Sequence, residues 1–383
     1  MAQKVDISGK VSSKETKSAI PRASVFLSNS SFGTITANDG TFSLSNLRPG
    51  QYTLVVSSVG YSDFTQKLQV GEEPIKVNIE LEPKVTELRE VVISTTAKAD
   101  WKRNFEQFKR DFIGTDENSK LCEILNPDAL YFTYRKKLLT LEAETERFLV
   151  IENRGLGYRV KFLLKNFKSD NIAGVITYGG ERLFEDLPGS AIQKRKWAAA
   201  RDMAYYGSAM HFYRSLYTDR LKEEGFEMRR LTRFLNPQRP SDEIIHQKIS
   251  RFKTIGRPDS ANYWIDIANL SKYTHDMLAQ TPWYPFEVLR NTKQPGIYGI
   301  SCPNYLYVIY NKKRDETNFK DIFRPLDMPN YEISVVTMFG NPPYALFDKN
   351  GIVIEGAPLY EGTWSKARLS ELLPVDYVPI AKQ

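Results

Sequence analysis

Ser208 and His211 stand one helical turn apart, and Asp202 precedes them on the same predicted helix. These are the residue types of a nucleophile, a base and an orienting acid, and a nucleophile needs its base held by that third group. With all three on one helix, nearness in sequence explains the trio, and no catalysis is read from it. Gly155-Leu-Gly157 lacks a third glycine and a following Lys-Ser/Thr. It is therefore a turn rather than a phosphate loop. No Gly-x-Ser-x-Gly elbow is written. Glu223 and Glu224 are adjacent and point apart on a helix, so they cannot flank a scissile bond. His211 and His275 read as core or surface residues rather than ligands. The expectation is a chain that is not an enzyme and takes no cofactor or metal.

Other residues suit contact better than reaction. Gln280-Thr-Pro-Trp-Tyr-Pro-Phe286 packs Trp283, Tyr284 and Phe286 among prolines, where neither a helix nor a central strand is expected. An exposed aromatic loop of this kind meets a membrane interface or a partner protein; folded inward, it covers a core. Trp283 and Trp364 could also stack on sugar rings, which leaves a glycan- or peptide-binding module as the alternative function. Cys122 and Cys302 are the only cysteines. In an oxidising compartment they could bond and close a loop of about 180 residues; otherwise they are two small core residues.

Charge is uneven. The net charge is +7, from 53 Lys+Arg against 46 Asp+Glu. Residues 190–260 hold 15 of the bases and 8 of the acids, which is the whole excess. A basic segment meets nucleic acid, anionic lipid or an acidic partner, or is a solvated face. It carries no zinc finger, helix-turn-helix or aromatic RNA-binding strand, so no nucleic acid is expected. No small-molecule substrate is indicated either.

The elements that must position these residues are mostly strands. Aromatics make up 12% of the 383 residues, which fits a strand-rich chain. Residues 1–84 alternate strictly: Val5, Ile7 and Val11; Tyr52, Leu54 and Val56; Ile75, Val77, Ile79 and Leu81. Turn signals fall at Asn38-Asp39-Gly40, Arg48-Pro49-Gly50, Gly60 and Gly71. About seven short strands in this pattern predict a β-sandwich. Gly33 to Leu44 predicts a hairpin, with Ile35 and Ala37 facing Phe42 and Leu44 across the Gly40 turn. Residues 85–100 read as a last edge strand and a linker.

Residues 101–383 read as a β-rich α+β region, with a sub-boundary near 227–240. Apolar spacing predicts a helix from Trp101 to Phe112, ended by Gly114. A short helix over 116–125 and strands from Leu130 to Tyr178 follow. Residues 190–224 form the longest helical stretch, with Met203, Tyr206, Met210, Tyr213 and Tyr217 as a core stripe and a break or fresh cap at Gly207-Ser208. Residues 227–234, 243–252, 263–268, 304–310 and 331–339 are predicted strands. Residues 344–355 read as a hairpin, and 364–373 as a terminal helix. The fold class is thus mainly β, a sandwich followed by a β-rich region with helices.

Ile7-Ser-Gly-Lys-Val11, Ile20-Pro-Arg-Ala-Ser-Val25, Thr36-Ala-Asn-Asp-Gly-Thr-Phe42, Leu47-Arg-Pro-Gly-Gln-Tyr52 and Val59-Gly-Tyr61 together resemble the carboxypeptidase-like regulatory domain. The resemblance implies a transthyretin-like sandwich. It also resembles the N-terminal module of Bacteroidota outer-membrane proteins, SusC-type receptors among them. Farther on, Cys122-Glu-Ile-Leu-Asn-Pro127, Ile151-Glu-Asn-Arg-Gly-Leu-Gly-Tyr158 and Tyr206-Gly-Ser-Ala-Met-His-Phe212 look like a Bacteroidota family in which this domain precedes a β-rich region. The zinc peptidases that carry such a domain need His-x-x-Glu and a further His. Here His211, His246 and His275 are followed by Arg214, Ile249 and Leu278, so that activity is not expected. The resemblance implies an envelope protein, periplasmic or outer-membrane associated. It would be a peripheral or accessory subunit of an outer-membrane complex for β-barrel assembly or SusC-type transport. No apolar run approaches the ~20 residues of a spanning helix, and no signal peptide is read at Met1-Ala2-Gln3.

Overall fold

A computed structural model describes residues 5–84, 95–314 and 329–380. The chain is mostly β, with 43% in strands against 25% in helix, which supports the expected class.

The first module holds β1 (Val5–Ser13), β2 (Ser24–Leu27), β3 (Gly33–Ile35), β4 (Thr41–Leu47), β5 (Gly50–Ser57), β6 (Phe64–Val70) and β7 (Ile75–Leu81). One sheet runs β4-β1-β7 and the other β3-β2-β5-β6. Alternation puts Ile7, Val11, Val25, Leu27, Leu54 and Val56 between the sheets, all fully buried. The expected hairpin at Gly33–Leu44 is not one. β3 pairs with β2 and β4 with β1, so the chain changes sheets at the turn. The turn itself forms: the Ala37 N–H donates to Thr41 O and the Gly40 N–H to Ala37 O, both at 2.9 Å. Gly40 has φ +81°, and a Cβ there would stand 2.4 Å from Val11 O. Ile35 stays 62% exposed while Phe42 and Leu44 are buried, because crossing to the second sheet resets which parity faces the core.

Of the linker expected over 85–100, residues 85–94 with its edge strand lie outside the described residues, and residues 95–100 are helical, because the helix expected from Trp101 starts six residues earlier. Helix α1 (Thr95–Ile113) then packs on an open sheet. That sheet contains β8 (Cys122–Ile124), β9 (Leu130–Arg135), β10 (Thr140–Thr145), β11 (Leu149–Asn153), β12 (Tyr158–Asp170) and β13 (Val175–Asp186). The strand order is β8-β11-β12-β10-β9, with β13 along the other side of β12. Phe108 and Phe112 of α1 meet Phe132, Phe162, Phe167 and Tyr178 of the sheet in edge-to-face contacts. The helix expected over 116–125 is only a 3₁₀ turn, Asn118–Leu121, before β8.

Helices α2 (Ala191–Tyr205), α3 (Ala209–Tyr217) and α4 (Leu221–Glu224) follow. Ser190 caps α2 in a capping box and Ser208 caps α3, so the break falls where the serine spacing places it. The last module contains β14 (Phe226–Leu235), α5 (Asp242–Thr254), α6 (Pro258–Ala268), β15 (Tyr273–Leu278), α7 (Pro285–Val288), β16 (Leu289–Asn291), β17 (Ile297–Ile300), β18 (Tyr305–Arg314), β19 (Tyr331–Thr337), β20 (Phe339–Gly340), β21 (Pro343–Asp348), β22 (Val353–Glu355), β23 (Leu359–Gly362) and α8 (Thr363–Lys366). The sheet β15-β14-β18-β19-β23 faces the sheet β16-β17-β21-β20 across a core that includes Phe212, Leu216, Val308 and Phe347. The strands expected at 243–252 and 263–268 are helices α5 and α6. Ser241 caps the first, Asp242 and Glu243 fill its first turn, and Pro258 opens the second. Ile245 and Ile249 lie four apart and buried, which is helical rather than alternating spacing. The expected terminal helix divides into α8 and a 3₁₀ turn, Leu369–Glu371. No helix among the described residues is long and apolar enough to cross a membrane.

The sandwich is locked to the rest. Its turn between β2 and β3 lies against β13. The Asn29 N–H donates to Arg182 O (2.8 Å), and the Phe184 N–H to Ser30 O (2.9 Å). From the far end of the chain, the Val375 N–H donates to Asn29 O at 2.7 Å, and Asp376 accepts the Ser31 N–H at 2.8 Å. Arg214 of α3 holds the same closing segment by donating to Val375 O and Tyr377 O, and ties it to the turn between β21 and β22 by donating to Asn350 O. Phe26 and Val55, on the outer face of the sandwich, are fully buried against Leu163 and Leu183.

Replacing Phe26 with Ala empties that interface. It is expected to lower stability by about 3–5 kcal/mol, read from urea unfolding; a loss under about 1 kcal/mol would mean the modules do not support one another. A second test uses Glu371. Burial, and then the nearby Asp116 carboxylate, push its pKa above the ordinary 4.5, while Lys313 pulls the other way. Above about 4.5 the folded chain keeps a proton that the unfolded chain has released, so this group's contribution falls as pH rises through the window. Glu371→Gln should therefore be more stable than the parent at pH 7, with the gap closing as pH falls below about 4.5. Urea titrations at the two pH values would reveal the opposite order if the sign is wrong.

Candidate functional site

Trp283, Tyr284 and Phe286 occupy one edge of the last module, and they divide their roles. Trp283 is half-buried against the core between the two sheets, and its backbone N–H donates to Met228 O at 2.7 Å. Tyr284 and Phe286 are 60% and 77% exposed. Their rings lie 5.8 Å apart and 7° from parallel. Pro285 starts the one-turn helix α7, so a turn of helix does form among these prolines. Glu287 Oε2 accepts the Tyr284 N–H at 2.7 Å and pins that turn. The result is a fixed apolar platform rather than a loose loop.

More apolar surface continues along the same edge. Phe234 stacks on His275 at 4.1 Å and 12°, and Met277, opposite Thr232, is 55% exposed. Phe234 shares its side of β14 with the buried Met228. The core-facing side of the sheet therefore outruns the sheet that covers it. On the opposite side, Arg233 sits 4.8 Å from the rings of both Tyr273 and Tyr305. It donates to Asp276 (3.1 Å) and to Glu361 (2.6 Å). Burial pushes the Asp276 carboxyl up despite Arg233. Burial alone would lower Arg233, but Glu361 and Asp276 raise it overall. This internal ion cluster ties β14, β15, β18 and β23 together beneath the apolar edge.

The residues considered for chemistry are dispersed. His211 Nδ1 accepts the Gly207 N–H at 3.2 Å, and its Nε2 lies 3.1 Å from Glu224. Ser208 caps α3 by accepting the His211 N–H. Asp202 accepts from the Tyr377 hydroxyl and the Ile380 N–H. His246 meets Asp170 at 3.0 Å, and His275 is on Phe234. Glu223 turns to Arg220 while Glu224 turns to His211. Trp364, considered for sugar stacking, is buried and donates its indole N–H to Gly207 O at 2.7 Å. Among the described residues no group of three or more His, Cys, Asp or Glu is placed to hold a metal ion.

A family model, the CarboxypepD_reg-like domain, matches residues 7–93. The first module is a CarboxypepD_reg-like domain. No curated protein matches the chain. Among solved structures, the group B streptococcus pilus 2b backbone protein is 19% identical, with 21% of this chain and 41% of that chain covered at a TM-score of 0.19. A candidate carbohydrate binding protein from Bacteroides uniformis ATCC 8492 is 7% identical, with coverages of 48% and 99% and a TM-score of 0.18. A candidate membrane-associated protein of unknown function from Bacteroides fragilis NCTC 9343 is 11% identical, with coverages of 90% and 93% and a TM-score of 0.18. The first three structures matched are covered over 41%, 56% and 58% of their length, about half.

Where the CarboxypepD_reg-like domain meets the other modules, a cavity of about 270 Å³ opens, lined by Arg48, Tyr158, Asp186, Arg201, Asp376 and Tyr377 among others. Most of its charges are engaged within the fold: Asp376 with Ser31, and Arg201 with Asp186. Arg201 donates to Leu156 O, Gly157 O and Asp186, with its guanidinium 3.6 Å from the centre of the Tyr158 ring. Sequence reading missed Arg201, Arg214 and Arg233 as internal clips, since charge counts do not separate a solvated base from one bound to carbonyls.

Cys122 and Cys302 are free and buried, one in the core under α1 and the other in the core of the last module. The bond considered between them is therefore not formed. Burial pushes the Cys122 thiol up to about 12 and the Cys302 thiol up to about 11, so neither presents a thiolate at neutral pH. The folded chain should resist iodoacetamide at pH 8 and take up two carboxamidomethyl groups once unfolded in urea. Rapid labelling of the folded chain, counted by mass, would contradict this.

Proposed function

We propose that the protein is a non-enzymatic, envelope-associated interaction protein, an accessory subunit of an outer-membrane complex such as one for β-barrel assembly or SusC-type transport. Its partner would dock on the edge that presents Tyr284 and Phe286. The observation that carries this reading is the pair of parallel, exposed rings set on a pinned turn with Trp283 anchored beneath. Such a platform offers large apolar area with little side-chain entropy left to lose, as interface hot spots do. In this reading the CarboxypepD_reg-like domain is a buttress that fixes the body behind the contact edge.

The test is a photo-crosslinking residue at position 286 in the full chain, in its native envelope. The expected result is one discrete adduct with an integral outer-membrane protein, absent when the crosslinker replaces the exposed Ile35 of the sandwich. No adduct, or the same adduct from both positions, would defeat the proposal. The parallel rings also suit a sugar face, so a glycan array that binds the parent but not Tyr284→Ala would favour the glycan-binding alternative instead.

A further inference from the structure

Helix α2 carries a second surface, far in sequence from the aromatic platform. Its inner side is spent on packing. The Trp197 indole N–H donates to Arg154 O (2.8 Å), Arg201 Nε donates to Leu156 O (2.7 Å), and Tyr205 is buried. Gly157 accommodates the indole: a Cβ there would stand 2.1 Å from Trp197 Cδ2. The outer side has a different character. Ile192 is 67% and Met203 70% exposed, and Ala199 between them is exposed as well. At 3.6 residues per turn these three fall within about 40° of one another. Arg195 flanks the stripe on one side and Lys196 on the other, each about 40–60° from its centre. Lys194, also exposed, falls about 160° from the centre of the stripe, on the side of Arg201 and Tyr205, and does not border it. Lys194, Arg195 and Lys196 are all exposed, and among the described residues none has an ion-pair partner. Asp202 is the one acid of α2, and its carboxylate is turned to Tyr377 and Ile380.

We infer that the outer side of α2 rests on an anionic lipid surface. An apolar stripe bordered by cations is the pattern of a helix lying in the plane of a bilayer interface. Ile192 and Met203 would enter the acyl boundary. Arg195 and Lys196 would reach lipid phosphates, their stems covering the stripe's margins. Charge complementarity selects this occupant: two unpaired cations bordering the stripe, with the one acid of α2 turned to Tyr377 and Ile380, attract a negative surface and offer nothing to a partner's bases. The inference deepens the envelope reading, which supplies only the membrane concerned, and it uses a surface separate from the Tyr284–Phe286 edge.

Co-sedimentation of the full chain with extruded vesicles tests it. The parent should bind phosphatidylcholine vesicles containing phosphatidylglycerol, ignore pure phosphatidylcholine, and be released as salt shortens the screening length. Arg195→Gln/Lys196→Gln should weaken binding roughly 25-fold, about five-fold per cation. Ile192→Glu should also abolish it, with circular dichroism melts unchanged for both variants. Tyr284→Ala/Phe286→Ala should bind vesicles as the parent does, so loss of the partner contact and loss of the lipid contact are told apart. Absence of parental binding, equal binding to neutral vesicles, retention by the Arg195/Lys196 variant, or loss in the Tyr284/Phe286 variant would each overturn the inference.

Discussion

The hydrogen bonds around Asn29 are the constraint on which the rest of the architecture rests. One turn of the first domain donates to β13, accepts from β13 and accepts from the closing segment. Backbone groups buried in such a seam cannot turn to water, so each must find its partner in another module. That requirement fixes the separation of the sandwich, the middle sheet and the last module at once. Phe26, Val55, Leu163 and Leu183 then bury their apolar surface in the space so defined, and Arg214 holds the closing segment in place. A domain that sequence alone presents as a bead before a linker is in fact part of one body.

Charge follows the same division between inside and outside. The basic segment looks uniform as a count, yet its arginines and lysines do different work. Arg201, Arg214, Arg233 and Arg239 point inward and donate to carbonyls or carboxylates, which suits a planar group with several donors. Lys194, Arg195 and Lys196 point outward. The surface that remains basic is therefore smaller than the composition implies: three consecutive cations on α2, with Lys222, Arg230, Arg251 and Arg257 exposed farther along the segment.

Much of the fold is legible in the sequence where a period or a cap is strong. The sandwich strands alternate strictly, and Ser190 and Ser208 mark two helix starts. Illegible are the places where two structures share a local signature. Asn38-Asp39-Gly40 makes the same turn whether the chain folds back within a sheet or crosses to the other one; only the buried Thr36 beside the exposed Ile35 betrays the crossing. The isoleucines of α5 suggest a strand by type, although Ser241, Asp242 and Pro258 are helix-start signals. The aromatic platform is legible because prolines keep Tyr284 and Phe286 from a regular strand. Contacts such as Asn29 with Val375 leave no periodic trace, and neither does the choice of which tryptophan is buried. Met203 belongs to an apolar stripe by spacing, but the break at Gly207 turns it outward, away from Tyr213.

The hydrogen bond between Ser31 and Asp376 joins groups 345 positions apart. A ribosome delivers the first of them long before the second, and a chain threaded through a translocon does the same. Until β12 and β13 emerge, the nascent sandwich has a bare flank at Phe26 and Val55, and its interior lacks Val375 until the final residues follow. Translation order thus creates an interval in which a well-folded module displays a sticky patch, and a holding chaperone in the compartment of synthesis would find its footing there.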